Sequence, residues 1–288
     1  MPTPASSPMV AAWELAVRLR QRREQVGIEV KTITQTMGFS RNYWSAVENE
    51  RKLLSEESLV KLLDLFEFGD EERREMIALR AAAKEHGWWS RYSAVLDQEV
   101  QRLFGLESGA RSIRSYENLL IPGLLQTKDY ARAMMTPAVI IPQIEVEELV
   151  EARMRRQERL FAENPLRLTA LVSEASLRQE IGGRDVLHRQ LERIAQVVEQ
   201  YPDTIDVRVI PFAVQSCGLF GASTVYLIDF ENTRLPTVVW QETVTSWGII
   251  DDPIKVRDIS VTYREAYHVA LGGRDSLKLI NQRIEELA

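Results

Sequence analysis

The spacing of apolar residues in the N-terminal part of the chain predicts a series of short helices. Apolar side chains recur at helical spacing from 10 to 26, opposite a basic face, and Gly27 ends this run. A second helical run covers about 30–37. Gly38 follows it at the position where a left-handed glycine commonly ends a helix. The pattern therefore predicts two helices, followed by a tight turn.

The segment after this turn predicts a third helix with one buried face and one polar face. Ser40 is a typical N-cap residue, because its hydroxyl can accept a hydrogen bond from an amide of the first turn. Phe39 and Trp44 have the spacing of a hydrophobic staple, and Trp44 and Val47 are three positions apart on the buried side. The residues left for the outer face are Arg41, Asn42, Tyr43, Ser45, Ala46 and Asn49.

Two further helices complete the predicted N-terminal domain. Ser55 begins the fourth helix, and two glutamates follow it where the helix dipole favours negative charge. The sequence GDEERREMIALRAAAKE predicts a fifth helix over about 70–85. Five short helices with tight connections predict an all-α domain over 10–86. The proline-rich residues 1–9 are predicted to be a disordered arm.

Beyond residue 86 the pattern alternates between strands and helices. Strands are predicted over 166–173, 205–212, 223–230 and 237–243. Helices are predicted over 92–104, 143–162, 184–200, 253–271 and 274–286. The chain is therefore predicted to be multidomain, with an α+β domain over 87–288 that contains a mostly antiparallel sheet.

Composition and charge restrict where a polyanion can bind. The chain has 288 residues, of which 45% are hydrophobic and 27% charged, as expected of a globular protein with room for two domains. Its net charge of −6 argues against a protein that coats nucleic acid with its whole surface. Residues 1–52 nevertheless carry a balance of +3. Contact with DNA is therefore expected to be local and N-terminal.

The remaining chemistry favours neither a metal site nor an enzyme. His86, His188 and His268 lie far apart, so we expect no metal and no cofactor. Cys217 is the single cysteine and cannot form an intramolecular disulfide. No clustered nucleophile and base is recognisable, and we expect no catalytic activity. No apolar run approaches the roughly 20 residues of a membrane helix, so no membrane partner and a cytoplasmic location are expected.

The N-terminal helices have the parts of a helix-turn-helix motif: a helix, a glycine-bearing turn and a second helix with a polar outer face. The stretch LRQRREQVGIEVKTITQTMGFSRNYWSAVENERKLLSEESLVKLLDLF resembles the Cro/CI-like, XRE-type family of regulators. The matching residues are Leu19, Arg20, Gly27, Ile28, Gly38 to Arg41, Ser45, Val47 and Glu48. The resemblance implies a lambda-repressor-like fold and a homodimer that binds double-stranded DNA.

The chemistry of the third helix selects candidate DNA contacts. Arginine suits guanine and asparagine suits adenine in the major groove. The candidates for base contacts are Arg41, Asn42, Tyr43, Ser45 and Asn49. The candidates for backbone contacts are Lys31, Ser40, Arg51 and Lys52. The simpler alternative is that this polar face is only solvated.

Three positions depart from the family pattern. Glu29 and Val30 stand where relatives often carry Thr-Gln at the start of the second helix, so the bond from that glutamine to a phosphate is absent or made elsewhere. Glu50 stands where a glycine is usual. Its charge beside Arg51 is expected to weaken the local attraction to phosphate.

The rest of the chain resembles the C-terminal domain of a group of actinomycete regulators similar to WhiJ. The most specific phrase is ENLLIPGLLQTKDYARA over 117–133, supported by EARMRRQERL, LVSEASLRQEIGG and YREAYHVAL. Such regulators are often encoded beside a small partner protein, in an antitoxin-like arrangement. The resemblance therefore implies dimerisation, partner binding or signal sensing for this domain, and the alternative to a protein partner is a small-molecule ligand.

Three segments are candidates for ligand or partner contacts. Trp88, Trp89 and Tyr92 favour packing between domains, with a ligand pocket as the alternative. Leu219 and Phe220 lie in the glycine-containing loop SCGLFGAS and form either a docking tip or a folded-back segment. For LLIPGLLQTKDYARA a buried corner is favoured over direct contact with a ligand or partner.

Overall fold

The computed structural model describes residues 7–138 and 141–288. The chain divides into two compact units, one formed by Met1–Ser90 with Asn232–Leu235, the other by Arg91–Glu231 with Pro236–Ala288. Each unit has a hydrophobic core of its own. None of the helices in the described ranges combines the length and apolar character that crossing a bilayer requires.

The described part of the N-terminal unit contains five α-helices before residue 87. They are α1 Pro8–Gln25, α2 Val30–Met37, α3 Arg41–Glu48, α4 Glu56–Leu65 and α5 Asp70–Ala83. The first begins earlier than predicted, because the Ser7 hydroxyl accepts a hydrogen bond from the Val10 amide at 3.3 Å and Pro8 suits the first helical position. Residues 1–6 of the predicted arm lie outside the described residues.

Local turn signals place α3 as predicted. Gly38 has a φ of 69° at the end of α2, the left-handed conformation that ends a helix. The Ser40 hydroxyl accepts a hydrogen bond from the Tyr43 amide at 3.0 Å. Ser55 caps α4 in the same way, accepting from the Ser58 amide at 3.1 Å. These caps fix where both helices begin.

The buried side of α3 anchors it to the core of the unit. Trp44 and Val47 are buried, and the Trp44 ring meets the ring of Phe66, the residue that follows α4, edge-on at 6.2 Å between centroids. Phe39 packs against the same core, while its ring also lies 4.7 Å from that of Tyr43. The predicted staple residue therefore supports the outer face of α3 as well as its buried face.

The basic residues of α1 fasten the ends of two other helices. Arg20 donates a hydrogen bond to the carbonyl of Glu48 at the end of α3, and Arg23 pairs with the Glu48 carboxylate at 2.8 Å. Arg22 donates to the carbonyl of Phe66 at the end of α4, at 2.9 Å. Cations near the negative end of a helix each contribute about 0.3–1 kcal/mol. Much of the positive charge of α1 is thus used within the fold.

A six-stranded mixed sheet forms the centre of the C-terminal unit. Its strands are β1 Ser112–Glu117, β2 Arg167–Ser173, β3 Ile205–Ile210, β4 Thr224–Asp229, β5 Val238–Glu242 and β6 Trp247–Ile250. Their order is β3-β2-β1-β4-β5-β6. The pairs β1/β2 and β2/β3 are parallel, whereas β1/β4, β4/β5 and β5/β6 are antiparallel. The predicted mostly antiparallel sheet is therefore wrong for the β1–β3 half.

The parallel half of the sheet was not predicted, because the sequence of the central strand β1 is polar. Its segment SIRSYE buries Ser115 and Glu117 beside Ile113 and Tyr116, so it lacks a clear apolar alternation. Without β1, the helical crossover that leads from it to β2 is not apparent. Parallel strands need such crossovers, whereas antiparallel strands can be joined by short turns.

Six α-helices surround the sheet in the described part of this unit. They are α6 Gln98–Gly109, α7 Lys128–Met135, α8 Val146–Gln157, α9 Arg184–Gln200, α10 Pro253–Val269 and α11 Gly273–Leu287. The helix predicted over 92–104 starts only at Gln98, because Asp97 caps it by accepting from the Val100 amide at 2.9 Å. Helix α10 packs on the sheet face that carries Tyr116 and Leu227.

Candidate nucleic-acid interface

The outer face of α3 presents polar side chains to solvent. Trp44 and Val47 point into the core, so the opposite side of this two-turn helix remains accessible. The predicted base-contact residues lie on that side: Arg41, Asn42, Ser45 and Asn49 are exposed, and Tyr43 is half-buried. A helix of this kind suits the major groove, which admits an α-helix.

Tyr43 is held from two sides. Its ring lies 4.7 Å from that of Phe39, and the Lys52 ammonium lies 5.9 Å from the ring centroid. A cation over an aromatic ring at this distance is attracted by the ring quadrupole. Tyr43 therefore has a defined position on α3, and Lys52 is drawn towards the helix.

Asn49 and Asn42 differ in what their amides can still bind. The Asn49 amide nitrogen donates to the Ser45 carbonyl at 2.6 Å and approaches its hydroxyl at 3.3 Å. To read adenine an asparagine uses its nitrogen as donor and its oxygen as acceptor, so Asn49 would have to give up a bond within the helix. For Asn42 no such bond is present among the described residues. Asn42 is therefore better placed than Asn49 to contact a base.

Part of the exposed positive charge of this unit lies in α2, in α3 and in the turn after α3. Lys31, Arg41 and Arg51 are exposed, and within residues 7–138 and 141–288 no ion pair or hydrogen bond engages their side chains. The amides of Arg51 and Lys52 both donate to the Ala46 carbonyl, at 2.8 and 3.1 Å, which fixes the turn after α3. By contrast, the basic residues of α1 that contact acids or carbonyls are Arg18, Arg20, Arg22 and Arg23.

Three residues near the predicted contacts to the DNA backbone, Ser40, Glu50 and Glu29, occupy helix caps or turns of the protein chain. The Ser40 oxygen accepts the Tyr43 amide, which leaves the Ser40 hydroxyl hydrogen for another acceptor such as a phosphate. Glu50 has a φ of 61°, in the left-handed region that favours glycine, which explains why a glycine suits this site. Glu29 is the N-cap of α2 but makes no capping bond with its side chain.

The other predicted contact residues are mostly buried. Trp89 and Tyr92 are buried and Trp88 is half-buried, with the two tryptophan rings edge to face at 5.9 Å between centroids. Leu219 is folded back into the hydrophobic core. Phe220 remains 41% exposed, so of this loop pair it alone offers a surface for a partner.

The segment LLIPGLLQTKDYARA forms a buried corner, as favoured above. Gln126 is buried and donates to the Ile121 carbonyl at 2.7 Å, while the Tyr130 hydroxyl accepts from the Ile121 amide at 3.3 Å. Thr127 caps α7 by accepting the Tyr130 amide at 3.3 Å. These bonds satisfy backbone groups around the turn at Pro122.

A polar cluster that the sequence pattern did not predict lies at the carboxyl end of β1. Glu117, the last residue of β1, is buried and accepts hydrogen bonds from Thr224 at 2.7 Å and Tyr226 at 3.0 Å. Burial raises the pKa of Glu117 to about 8, because the charged form is disfavoured away from water. The carboxyl group is therefore mainly neutral at pH 7.

Two arginines of α8 complete this cluster. Arg156 donates two hydrogen bonds to the buried Glu107 carboxylate, at 2.7 and 2.5 Å. The Nη1 of Arg153 donates to Gln126 Oε1 at 2.8 Å, and burial together with the charge of Arg156 lowers the pKa of Arg153. We call this assembly the β1-end cluster, defined as Glu107, Glu117, Gln126, Arg153, Arg156, Thr224 and Tyr226.

In the sequence, the β1-end cluster was indicated only by polar and charged residues within two segments that resemble the WhiJ-like group. Glu117 and Gln126 belong to ENLLIPGLLQTKDYARA, and Arg153 and Arg156 belong to EARMRRQERL. The two phrases are distant in sequence, so their meeting required the fold. Within the described ranges, no group of three or more His, Cys, Asp or Glu side chains is arranged to hold a metal ion.

Comparison with known families agrees with this two-part organisation. Residues 14–76 match the model of a Helix-turn-helix domain, which together with the exposed face of α3 indicates a DNA-binding regulator. Residues 100–282 match the model described as Domain of unknown function (DUF5753). That match covers more than half of the chain, which therefore belongs to the DUF5753 family. No curated protein and no solved structure shows significant similarity to it.

Proposed function

We propose that the protein is a sequence-specific transcriptional regulator that acts in the cytoplasm as a homodimer on a pseudo-palindromic DNA site. The observation that carries this proposal is the exposed polar face of α3 on an otherwise well-anchored helix. The end of α3 is fastened by Arg20 and Arg23, and its buried side by Trp44. A rigid reading helix is what recognition of a fixed base sequence requires.

Within this proposal the exposed residues have two kinds of role. Arg41 and Asn42 lie at the start of α3, the end of a recognition helix that contacts bases. Lys31, Arg51 and Lys52 contact phosphates on either side and set the register without reading sequence.

The C-terminal domain would control DNA binding rather than catalyse a reaction. We propose, following the resemblance to WhiJ-like regulators, that a small antitoxin-type partner protein binds it, with the exposed Phe220 as part of the contact. A stable complex that forms between the two purified proteins and is weakened by Phe220→Ser would support this. If the partner binds the Phe220→Ser variant with unchanged affinity, that contact is excluded. Sensing of a small molecule is the second candidate, and the β1-end cluster favours it.

Fluorescence anisotropy tests the DNA-binding role. Wild-type protein is titrated against duplex DNA from upstream of its own gene and against a scrambled duplex, at several salt concentrations. We expect a preference for the upstream duplex that Arg41→Ala/Asn42→Ala abolishes. Arg74→Ala is the matched control, because it removes one exposed positive charge from α5 outside the proposed reading face. Equal affinity of the wild type for both duplexes at low salt would count against the proposal.

A further inference from the structure

The β1-end cluster lies where the order of the strands changes direction. From β1 the chain adds β2 and β3 on one side of the sheet, whereas β4, β5 and β6 lie on the other. In open α/β sheets, ligands bind outside the carboxyl ends of parallel strands, and β1 is the strand at which the parallel half of this mixed sheet meets the antiparallel half. Glu117 is the last residue of β1, and its partner in β4 is Thr224. The cluster therefore lies at the carboxyl end of the parallel half of the sheet.

Arg153 has hydrogen-bonding capacity that the protein leaves unused. Its Nη1 is bonded to Gln126, whereas for Nε and Nη2 no hydrogen-bond partner is present among residues 7–138 and 141–288. Arg153 is half-buried, so these donors are partly desolvated yet still reachable from solvent. A partly buried guanidinium with unpaired donors is stabilised by an anion, and its planar fork matches a carboxylate. Arg156 does not compete, because Glu107 already occupies two of its nitrogens.

Gly123 brings the backbone close to both arginines, and a side chain here would crowd the Arg156 guanidinium. A Cβ at this glycine would lie 3.3 Å from Nη1 of Arg156, 3.9 Å from the Tyr226 hydroxyl and 4.0 Å from Cζ of Arg153. The Ser115 hydroxyl is buried and has no hydrogen-bond partner among the described residues. It lies on the same face of β1 as Glu117, opposite Tyr226. An unpaired buried hydroxyl beside a polar cluster indicates that a polar partner is missing.

We propose that the β1-end cluster binds a small molecule through its carboxylate, with Arg153 as the residue that pairs with it. This inference rests on the second candidate function, in which the C-terminal domain senses a ligand. It names the site and the chemical class of that ligand. A carboxylate fits better than a phosphate, because a single uncommitted guanidinium balances one negative charge and the exposed Glu242 contributes negative charge nearby.

The protonation of Glu117 is compatible with such a ligand. The titratable and charged groups that interact with it are Tyr116 of β1, Tyr130 from α7, Arg153 from α8, Tyr226 from β4 and Glu242 from β5, and Tyr226 interacts in turn with Glu107 and Arg156. Because the pKa of Glu117 is about 8, its carboxyl group is mainly neutral at pH 7 and does not repel an anion. Above about pH 8 this carboxyl group becomes charged and repels an anion. Binding should therefore weaken between pH 7 and pH 9.

Thermal unfolding of the full-length protein with acetate as the probe tests the site. If the site binds acetate with a Kd of about 10 mM, addition of about 100 mM sodium acetate should raise the Tm by about 2–4 °C over the same concentration of sodium chloride. Arg153→Met should abolish this shift. Arg155→Met, which changes an exposed arginine of the same helix, should keep it.

Two further variants keep the test decisive if Arg153→Met folds poorly. Gly123→Ala retains both arginines and places a methyl group against Arg156 and next to Arg153, where the ligand would have to approach, so it should also abolish the shift. Glu117→Gln should preserve the shift at pH 9, where the wild type loses it. The proposal would be overturned if the wild type showed no acetate-specific rise in Tm. It would also be overturned if Gly123→Ala and Arg153→Met showed the same rise as the wild type. The DNA-binding assay is independent of these results, since its variants lie in α3.

Discussion

Replacing Glu117 by glutamine should stabilise the protein at neutral pH and reduce the pH dependence of its stability. Glutamine has nearly the shape of a protonated glutamate; its oxygen can accept from one of the two hydroxyls, of Thr224 and Tyr226, that bond the two carboxyl oxygens, and its NH2 group can donate to the other. In the wild type the pKa of Glu117 is about 8 in the folded state, against an ordinary value of 4.5. The folded protein therefore holds a proton that the unfolded chain releases between these two pH values.

The sign and size of the effect follow from this difference in proton binding. Where the folded state binds more protons than the unfolded state, stability falls as pH rises. The contribution of Glu117 is thus fully present below pH 4.5 and is lost progressively as the pH rises towards 8. Each pH unit across this window is equivalent to about 1.4 kcal/mol. From pH 4.5 to 7 the wild type should lose up to about 3 kcal/mol that the Glu117→Gln variant retains.

Urea denaturation of both proteins at several pH values between 5 and 8 measures this difference. We expect the free energy of unfolding of Glu117→Gln to rise relative to that of the wild type as the pH increases. Glu265→Gln is the control, because Glu265 is exposed on α10, which packs on the other face of the sheet from Glu117. Parallel pH profiles for wild type and Glu117→Gln would refute the assignment of a neutral, buried carboxyl group.

Three other perturbations have defined outcomes. Glu50→Gly should stabilise the N-terminal unit by about 0.5–1 kcal/mol, because Glu50 has a φ of 61°; a lower Tm would contradict this. Arg51→Ala should reduce the slope of log affinity for DNA against log salt by about 0.9 for each phosphate that Arg51 neutralises, and an unchanged slope would remove Arg51 from the interface. Arg156→Ala should lower the free energy of unfolding by about 3–5 kcal/mol, because it leaves the Glu107 carboxylate buried without its cation. A decrease below about 1 kcal/mol in urea denaturation would show that the pair is solvated.

The N-terminal helices were predictable because their signals are local. Gly38 and Ser40 define the end of α2 and the start of α3 within a few residues of sequence, and the structure confirms both. Helical periodicity then separates Trp44 and Val47 from the outer face. What the sequence did not reveal is the role of the α1 arginines, since their partners are carbonyls at the ends of distant helices.

The C-terminal sheet was only partly predictable because its arrangement depends on distant contacts. The four strands with clear apolar runs were found close to their observed positions. Strand β1 was missed because Arg114, Ser115 and Glu117 interrupt its apolar pattern, and the partners of Arg114 and Glu117 lie on β4, which is distant in sequence. For the same reason the β1-end cluster was recognisable only in the fold.

Selection of binding sites from random duplex DNA tests the central claim most directly. The wild type and Arg41→Ala are each put through the same selection, and the enriched sequences are compared position by position. If α3 reads the major groove, the wild type enriches a pseudo-palindromic site. The Arg41→Ala variant then loses discrimination worth about 1–3 kcal/mol at one position of each half-site, while the other positions keep their preference. Enrichment of no sequence by the wild type, or of the same site with undiminished preference at every position by Arg41→Ala, would contradict the claim.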